Sequence, residues 1–411
     1  MLLTAEFLAA VCLVIWLVLF FTWGDFWRLW DSDADTVRLP SQAAWPRVTA
    51  IVPARNEAPF IAAIVAALAR QDYPGEFSII VVDDHSEDST SELAREAAEE
   101  SNAANRLQVL AAPELAAGWT GKLWALNAGV SAARSLRGPD KLACSGNLTP
   151  VLTETLEANR GVPEFFWFTD ADVVHAPDTL RRLVSRAQSS RLDLTSLMVL
   201  LASRSFAERL LIPSFLYFFL MLYPPKWIAD PGSKTAGAAG GCILLRRTAL
   251  ERIGGLATIR TEIIDDCSLA RAVKRSGGKI WMGLTRASRS LRSYTTFAEI
   301  RDLVARTAFA QLNYSALQLL GTLTGLAITF LVPVAFTFAS NPKIWLPALL
   351  AWCLLTASFL PTVSFYLLSP LWAPLLPFSA LVYAYATLLS ALRYWRGRGG
   401  QWKGRAQANQ I

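Results

Sequence analysis

The sequence predicts an α/β domain with a mostly parallel sheet, bracketed by membrane-spanning helices at its N- and C-termini. Three observations carry this. Short β-branched or aromatic runs that end in acids alternate with helical segments between about residues 46 and 295, the pattern of a parallel sheet with crossover helices. Long uncharged stretches lie before and after that region. Only 18% of the 411 residues are charged and 53% are hydrophobic. That is poor in charge for a water-soluble domain and too apolar for a disordered chain.

The elements follow in order. Phe7–Gly24 is 18 consecutive uncharged residues, close to the ~20 that span a bilayer. No basic residue precedes it and no clear cleavage site follows, so it reads as a retained anchor within residues 1–30. An acidic linker leads to a first strand at Val48–Val52, a helix at Ile61–Ala69 and a second strand at Ile79–Val82. A helix at Ser89–Glu100 and strands at Leu107–Leu110 and Phe165–Phe168 complete the recurring pattern. Residues 138–163, with three glycines and three prolines, read as an insertion. Leu210–Tyr223 is apolar but short for a span, so a buried or interfacial helix is expected. The α/β domain is set at 46–295, an interfacial amphipathic segment at 296–313, membrane helices at 314–392 and a basic tail at 393–411.

The uncharged stretches Ala316–Phe338 and Ile344–Leu392 hold 23 and 49 residues, room for three spans. With the α/β domain cytoplasmic, three later spans put the tail outside. The positive-inside rule wants it inside. Either one segment is re-entrant or the count is even.

The net charge is +6, and five basic residues without an acid fall in the last 19. Five more arginines lie between Arg286 and Arg306. Clusters flanking apolar segments fit a membrane surface, whereas nucleic-acid binding predicts basic residues spread over a soluble fold. The five cysteines form no CxxC pair, which leaves neither a zinc site nor a disulfide framework.

The chemistry-bearing residues stand at strand ends. FWFTDADVV places Asp170 and Asp172 at a strand's carboxyl end, where α/β sheets bind ligands. Read as extended, the segment points both carboxylates into one crevice, and their hard oxygens suit Mg²⁺ or Mn²⁺. VTAIVPARNE supplies Pro53, Asn56 and Glu57. VVDDHSEDST supplies Asp83 and Asp84, which fit either a nucleoside's hydrogen-bond donors or the start of a helix. In GWTGKLWALNAG, Lys122 is a phosphate partner or a solvated lysine. Gly240-Gly241 allows close backbone approach or forms a plain turn. Asp265-Asp266, opening a helix, is a dipole partner or contains a general base.

Taken together and in this order, PARNE, VVDDHSEDST, GKLWALN, TDAD, GGCILLRR and IDDCSLA resemble the inverting GT-A glycosyltransferases of family 2 over about residues 48–280. GWTGKLWALNAG and the flanking apolar segments are more similar to the hopanoid-biosynthesis-associated membrane glycosyltransferases of bacteria. The resemblance implies a GT-A domain that moves a sugar from a nucleotide sugar, expected to be UDP-linked, to a lipid hydroxyl at the cytoplasmic face of the bacterial inner membrane. It implies Asp83 and Asp84 at the nucleoside and Lys122 at the diphosphate. Asp170 and Asp172 become the metal-binding DxD, with Asp172 the more direct ligand, and Asp266 becomes the base. Pro53, Asn56 and Glu57 join the donor side, and Gly240, Gly241, Asp265 and Arg306 the acceptor side. His175 has a metal-side or a structural role. His85 stands where many relatives have glycine. Leu303 and Thr307 replace the family's (Q/R)xxRW pattern around Arg306, which argues against polymer synthesis. The rival readings are a polyprenyl-phosphate acceptor and an inactive GT-A scaffold.

Overall fold

A computed structural model of the chain describes residues 2–29, 45–135 and 162–397, and the backbone of 401–402 and 405–406. All of the expected insertion at 138–163 but its last two residues lies outside the described residues.

Eight strands form one sheet: β1 (Val48–Ala54), β2 (Phe77–Asp83), β3 (Leu107–Ala111), β4 (Phe165–Thr169), β5 (Val173–Val174), β6 (Leu194–Leu200), β7 (Cys242–Arg246) and β8 (Ile280–Ser290). Their order is β3-β2-β1-β4-β7-β6-β8-β5. The pairs β3–β2, β2–β1, β1–β4 and β6–β8 are parallel. The pairings of β7 with β4 and β6, and of β5 with β8, are antiparallel. The chain enters β7 at the carboxyl end of β4, with Cys242 opposite Thr169. That reversal brings the preceding Gly240-Gly241 turn to the strand end that carries Asp170.

The central strands are buried on both faces, so they read as unbroken apolar runs. Side chains alternate between two cores. Ile51, Ile80, Val82, Phe166, Phe168, Ile243 and Leu245 face the helices Gly121–Ser135, Asp265–Arg275 and Phe206–Leu222. Ala50, Val52, Ile79, Val81, Trp167 and Leu244 face the helices Ile61–Ala69, Thr90–Glu100 and Thr179–Ser189. Helix Gly121–Ser135 approaches the sheet closely because Gly129 has no side chain: a Cβ there would lie 2.5 Å from Ile51 Cγ2.

The first core runs on into the apolar helices. The expected helix at Leu210–Tyr223 forms at Phe206–Leu222, capped by a reciprocal Ser205–Glu208 box. Its Tyr217 hydroxyl is 2.6 Å from Ser358 Oγ, and Phe218 packs edge-on to Phe330. Among the described residues, four helices are long and apolar enough to cross a membrane: Leu2–Thr22, Ala316–Thr337, Pro342–Phe365 and Pro370–Trp395.

Candidate active site

The carboxyl ends of β1 and β4, the N-terminus of helix Gly121–Ser135, the Gly240 turn and the N-terminus of helix Asp265–Arg275 meet at one crevice. Pro53, Lys122, Asp170, Gly240, Asp265 and Asp266 line it, together with Leu123, Leu126, Phe168, Ile243, Leu256, Ile259 and Leu269. The crevice holds about 330 Å³, open mouth included.

Lys122 is its hub. The ammonium lies 2.8 Å from Asp170 Oδ1 and 3.5 Å from Asp265 Oδ2, with 17% of the side chain exposed. Burial works against its charge, but Asp170, Asp265 and Asp266 outweigh that and hold the lysine above its usual range. Burial alone would raise the carboxyl of Asp170. The charge and hydrogen bond of Lys122, helped by Arg306 and Arg292, instead hold it below the usual carboxylate range. The sequence leaves a solvated role open for Lys122; three carboxylates distant in sequence make it a buried partner instead.

Asp266 Oδ2 accepts from the Gly240 N–H at 2.9 Å, and Oδ1 from the Cys267 N–H at 2.7 Å. Burial first, and then the neighbouring Asp265 charge, push its carboxyl up to about 6, against the opposing pull of Lys122 and the two amides. A Cβ on Gly240 would come within 3.2 Å of Lys122 Nζ and 3.3 Å of Asp266 Oδ2. Residue 240 is therefore small because the backbone abuts the charged cluster. The Gly241 carbonyl accepts from Thr169 Oγ1 at 3.1 Å.

The DxD departs from the expected geometry. β4 ends at Thr169, and Asp170 to Val173 close a turn in which the Val173 N–H reaches the Asp170 carbonyl at 3.3 Å. The two carboxylates are thus not a same-facing extended pair, because the chain must reverse to form β5. Asp170 goes to Lys122, whereas Asp172 Oδ2 accepts from Arg292 Nε at 2.7 Å. The same guanidinium grips Glu57 at 2.7 and 3.0 Å and lies 5.1 Å from the centre of the Phe60 ring. Glu57 is nearly buried and its own N–H donates to Thr90 Oγ1. Glu208, which caps helix Phe206–Leu222, also accepts from the Tyr294 N–H at 2.8 Å, holding the segment that carries Arg292.

Arg292 is the site residue that sequence reasoning missed. It was counted among the arginines between 286 and 306 as part of a membrane collar. The available signal was its position just after a strand, in LRSYTT, but nothing local pairs it with Asp172. Arg306, at the end of helix Phe297–Ala305, is exposed and its charge reaches Asp170.

The β1 and β2 loops interlock. The Asn56 N–H donates to Ser86 Oγ and its Oδ1 accepts from the Glu87 N–H. Asp83 accepts from the Ser86 N–H and hydroxyl and from the Ser91 hydroxyl. Asp84 is fully buried, with Arg55 Nη1 at 3.9 Å from its carboxylate. His85 has φ +55°, the left-handed region in which glycine is unstrained.

His175 is buried, with Nε2 2.7 Å from Thr169 Oγ1 and Nδ1 2.9 Å from Ser288 Oγ. Burial pushes its pKa down to about 3, Asp170 acting weakly the other way, so the ring stays neutral. Both nitrogens are engaged, and ligating a metal would cost one of these bonds. Among the described residues, no group of three or more His, Cys, Asp or Glu is placed to hold a metal ion. Asp170 and Asp172 nevertheless offer hard, partly exposed oxygens, 35% and 17% exposed. That donor set suits Mg²⁺ or Mn²⁺ if a ligand's phosphates complete the shell.

Residues 46–310 match the family model "Glycosyltransferase like family 2", and the chain belongs to that family. No curated protein sequence matches it. Among solved structures, it is similar to a mannosyltransferase from Pyrobaculum calidifontis determined with GDP-Man and Mn²⁺. The identity is 20%, covering 93% of this chain and 99% of that one at TM-score 0.51. It is also similar to glucosyl-3-phosphoglycerate synthase from Mycobacterium tuberculosis, at 16% identity over 69% and 87% of the two chains and TM-score 0.38. The enzyme is a glycosyltransferase with a GT-A fold.

Proposed function

We propose that this enzyme transfers a sugar from a nucleotide sugar to the hydroxyl of a membrane lipid, with inversion at the anomeric carbon. The observation that carries the reading is Asp266. It is a carboxylate with a pKa raised to about 6, fixed by two backbone N–H groups at the head of the crevice. A base poised just below neutral pH is ionised at neutrality yet still takes a proton.

The chain's own residues do the following. Asp83 meets the nucleoside, and Asn56 and Asp84 hold the loops that position it. Lys122 and Arg306 bring positive charge to the diphosphate. Asp266 accepts the proton of the acceptor hydroxyl as that oxygen bonds to the anomeric carbon from the face opposite the leaving group. The bond from that carbon to the diphosphate oxygen breaks, and the nucleoside diphosphate departs with the electron pair. Asp265 and Gly240 keep Asp266 in place. Asp170 and Asp172 would hold Mg²⁺ or Mn²⁺, which when bound offsets charge on the diphosphate. The mannosyltransferase structure solved with GDP-Man and Mn²⁺ supports this choice of ion.

The apolar helices support a membrane location and with it a lipid acceptor, and we place the enzyme in the bacterial inner membrane with the catalytic domain on the cytoplasmic side. A hopanoid or similar polycyclic isoprenoid is the acceptor we favour. The test is a screen of UDP- and GDP-sugars for nucleotide release by the purified full chain, with total bacterial lipid as acceptor and Mn²⁺ present. Release that depends on lipid, with an acid-stable glycolipid product, is expected. A product labile to mild acid would make the acceptor a phosphate, and release indifferent to lipid would overturn the lipid reading.

A further inference from the structure

We propose that the last long apolar helix does not cross the membrane. It enters the leaflet nearest the catalytic domain and returns to the same side. This inference does not rest on the transferase reading.

The other three apolar helices have ends that fix their direction. Leu2–Thr22 finishes against the catalytic domain, where Trp23 Nε1 donates to the Met221 carbonyl at 3.0 Å and the Trp23 ring meets Trp227. Near its other end, Glu6 accepts from Asn341 Nδ2 at 2.9 Å. Asn341 therefore lies on the far side, between the helices Ala316–Thr337 and Pro342–Phe365. The first of these leaves the catalytic side, and the second comes back to it. At that return, the Phe365 ring lies 5.0 Å from the Arg286 guanidinium of β8.

The chain then begins the apolar stretch Pro370–Trp395. Its start reaches part-way along the preceding helix, where Trp352 Nε1 donates to the Pro374 carbonyl at 3.3 Å. Its end is at the catalytic domain again. Arg393 Nη2 lies 2.7 Å from Asp302 Oδ1. The Phe309 N–H donates to Ser390 Oγ, and Tyr394 stacks on Tyr314 at 4.4 Å. Between β8 and Asp302 there is no apolar run able to span a bilayer. Phe365 and Arg393 are therefore on one side, and the segment between them makes no net crossing.

The faces of the helix agree. Ser379 and Tyr383 hydroxyls donate to the carbonyls of Leu210 and Leu211, at 2.9 Å each, so the polar groups point inward. Phe378, Leu381 and Tyr385 point outward, each more than half exposed. An apolar outer face over a polar inner one needs acyl chains around it. The arrangement also places Arg393 and Arg396 on the catalytic domain's side, as the positive-inside rule requires of a cytoplasmic domain.

The test labels one introduced cysteine at a time in the full chain, with Cys144 and Cys353 replaced by serine and the buried Cys12, Cys242 and Cys267 retained, in sealed membrane vesicles of known orientation, the parent without an introduced cysteine being the blank. The sites are Glu96→Cys on the catalytic domain, Ser340→Cys, Leu367→Cys and Arg396→Cys, and the probe is a membrane-impermeant maleimide. Positions 96, 367 and 396 are expected to label from one side and 340 from the other. Labelling of 367 and 396 from opposite sides would overturn the proposal. A nitroxide on Leu381→Cys is expected to collide with oxygen but not with a water-soluble nickel chelate. Ready access to the chelate would remove the lipid as occupant.

Discussion

The chain carries the dipeptide Asp-Asp twice near the crevice, and the two copies have opposite fates. At Asp83-Asp84 the carboxylates are absorbed by neutral hydroxyls, backbone and the buried Arg55, which ties the β1 and β2 loops together. At Asp265-Asp266 they share one ammonium with Asp170, and one of the two is pushed up to about 6. Identical residues in similar local sequence end in different surroundings: one pair is held by hydroxyls, backbone and Arg55, the other lies in the charged cluster around Lys122. What separates them is the charge inventory within a few ångströms, which is set by distant segments.

That contrast can be broken most forcefully at Asp266. Asp266→Asn keeps the shape and removes the proton acceptor, so single-turnover transfer should fall by ~10²–10⁴-fold, with donor affinity nearly unchanged by calorimetry. Asp265→Asn, its control, should lose less. A fully active Asp266→Asn moves the base elsewhere. Next, Asp172→Asn should weaken Mn²⁺-dependent donor binding by about tenfold or more, an expected cost of losing one charged ligand. The wild type in EDTA should resemble the variant. Equal titrations in all three conditions would take the metal role away from the DxD.

The other pair should respond in stability. Asp84→Ala removes the fully buried carboxylate that faces Arg55 Nη1 at 3.9 Å and should lower unfolding stability by about 1–3 kcal/mol, read by thermal denaturation. Turnover per folded molecule should change far less than for Asp266→Asn. A loss of turnover at unchanged stability would make the two pairs alike. The smallest effect is expected at His85→Gly. Relief of left-handed strain is worth ~1–2 kcal/mol and is partly offset by glycine's entropy. The melting temperature should hold or rise slightly, and transfer should be unaffected.

Most of the sheet was legible in the sequence because its central strands are buried on both faces and read as unbroken apolar runs, as at Val48–Ala54 and Phe165–Thr169. The position of Asp170 and Asp172 just past a strand end was legible for the same reason, and Asp266 was legible as an acid at a helix start. The turn at Asp170–Val173 was not, because the run TDADVV contains no glycine or proline to announce a reversal. The antiparallel entry of β7 and the Arg292–Asp172–Glu57 grip depend on contacts 120 and 235 residues apart, which no local pattern encodes. The fate of the last apolar helix was equally hidden, since length and hydropathy do not distinguish a helix that crosses from one that returns.

The central claim is that Asp266, raised by burial and by Asp265, is the group whose ionisation gates transfer. The most direct measurement is the second-order rate constant of the full chain from about pH 4.5 to pH 8, with donor and lipid well below saturation, which reports ionisations of the free enzyme. A base must be deprotonated to act, so the rate should be flat above the break and fall about tenfold per pH unit below it. The break should lie near pH 6 and should vanish from the residual activity of Asp266→Asn. A rate that is flat down to pH 4.5, or an unchanged break in the variant, would contradict the assignment.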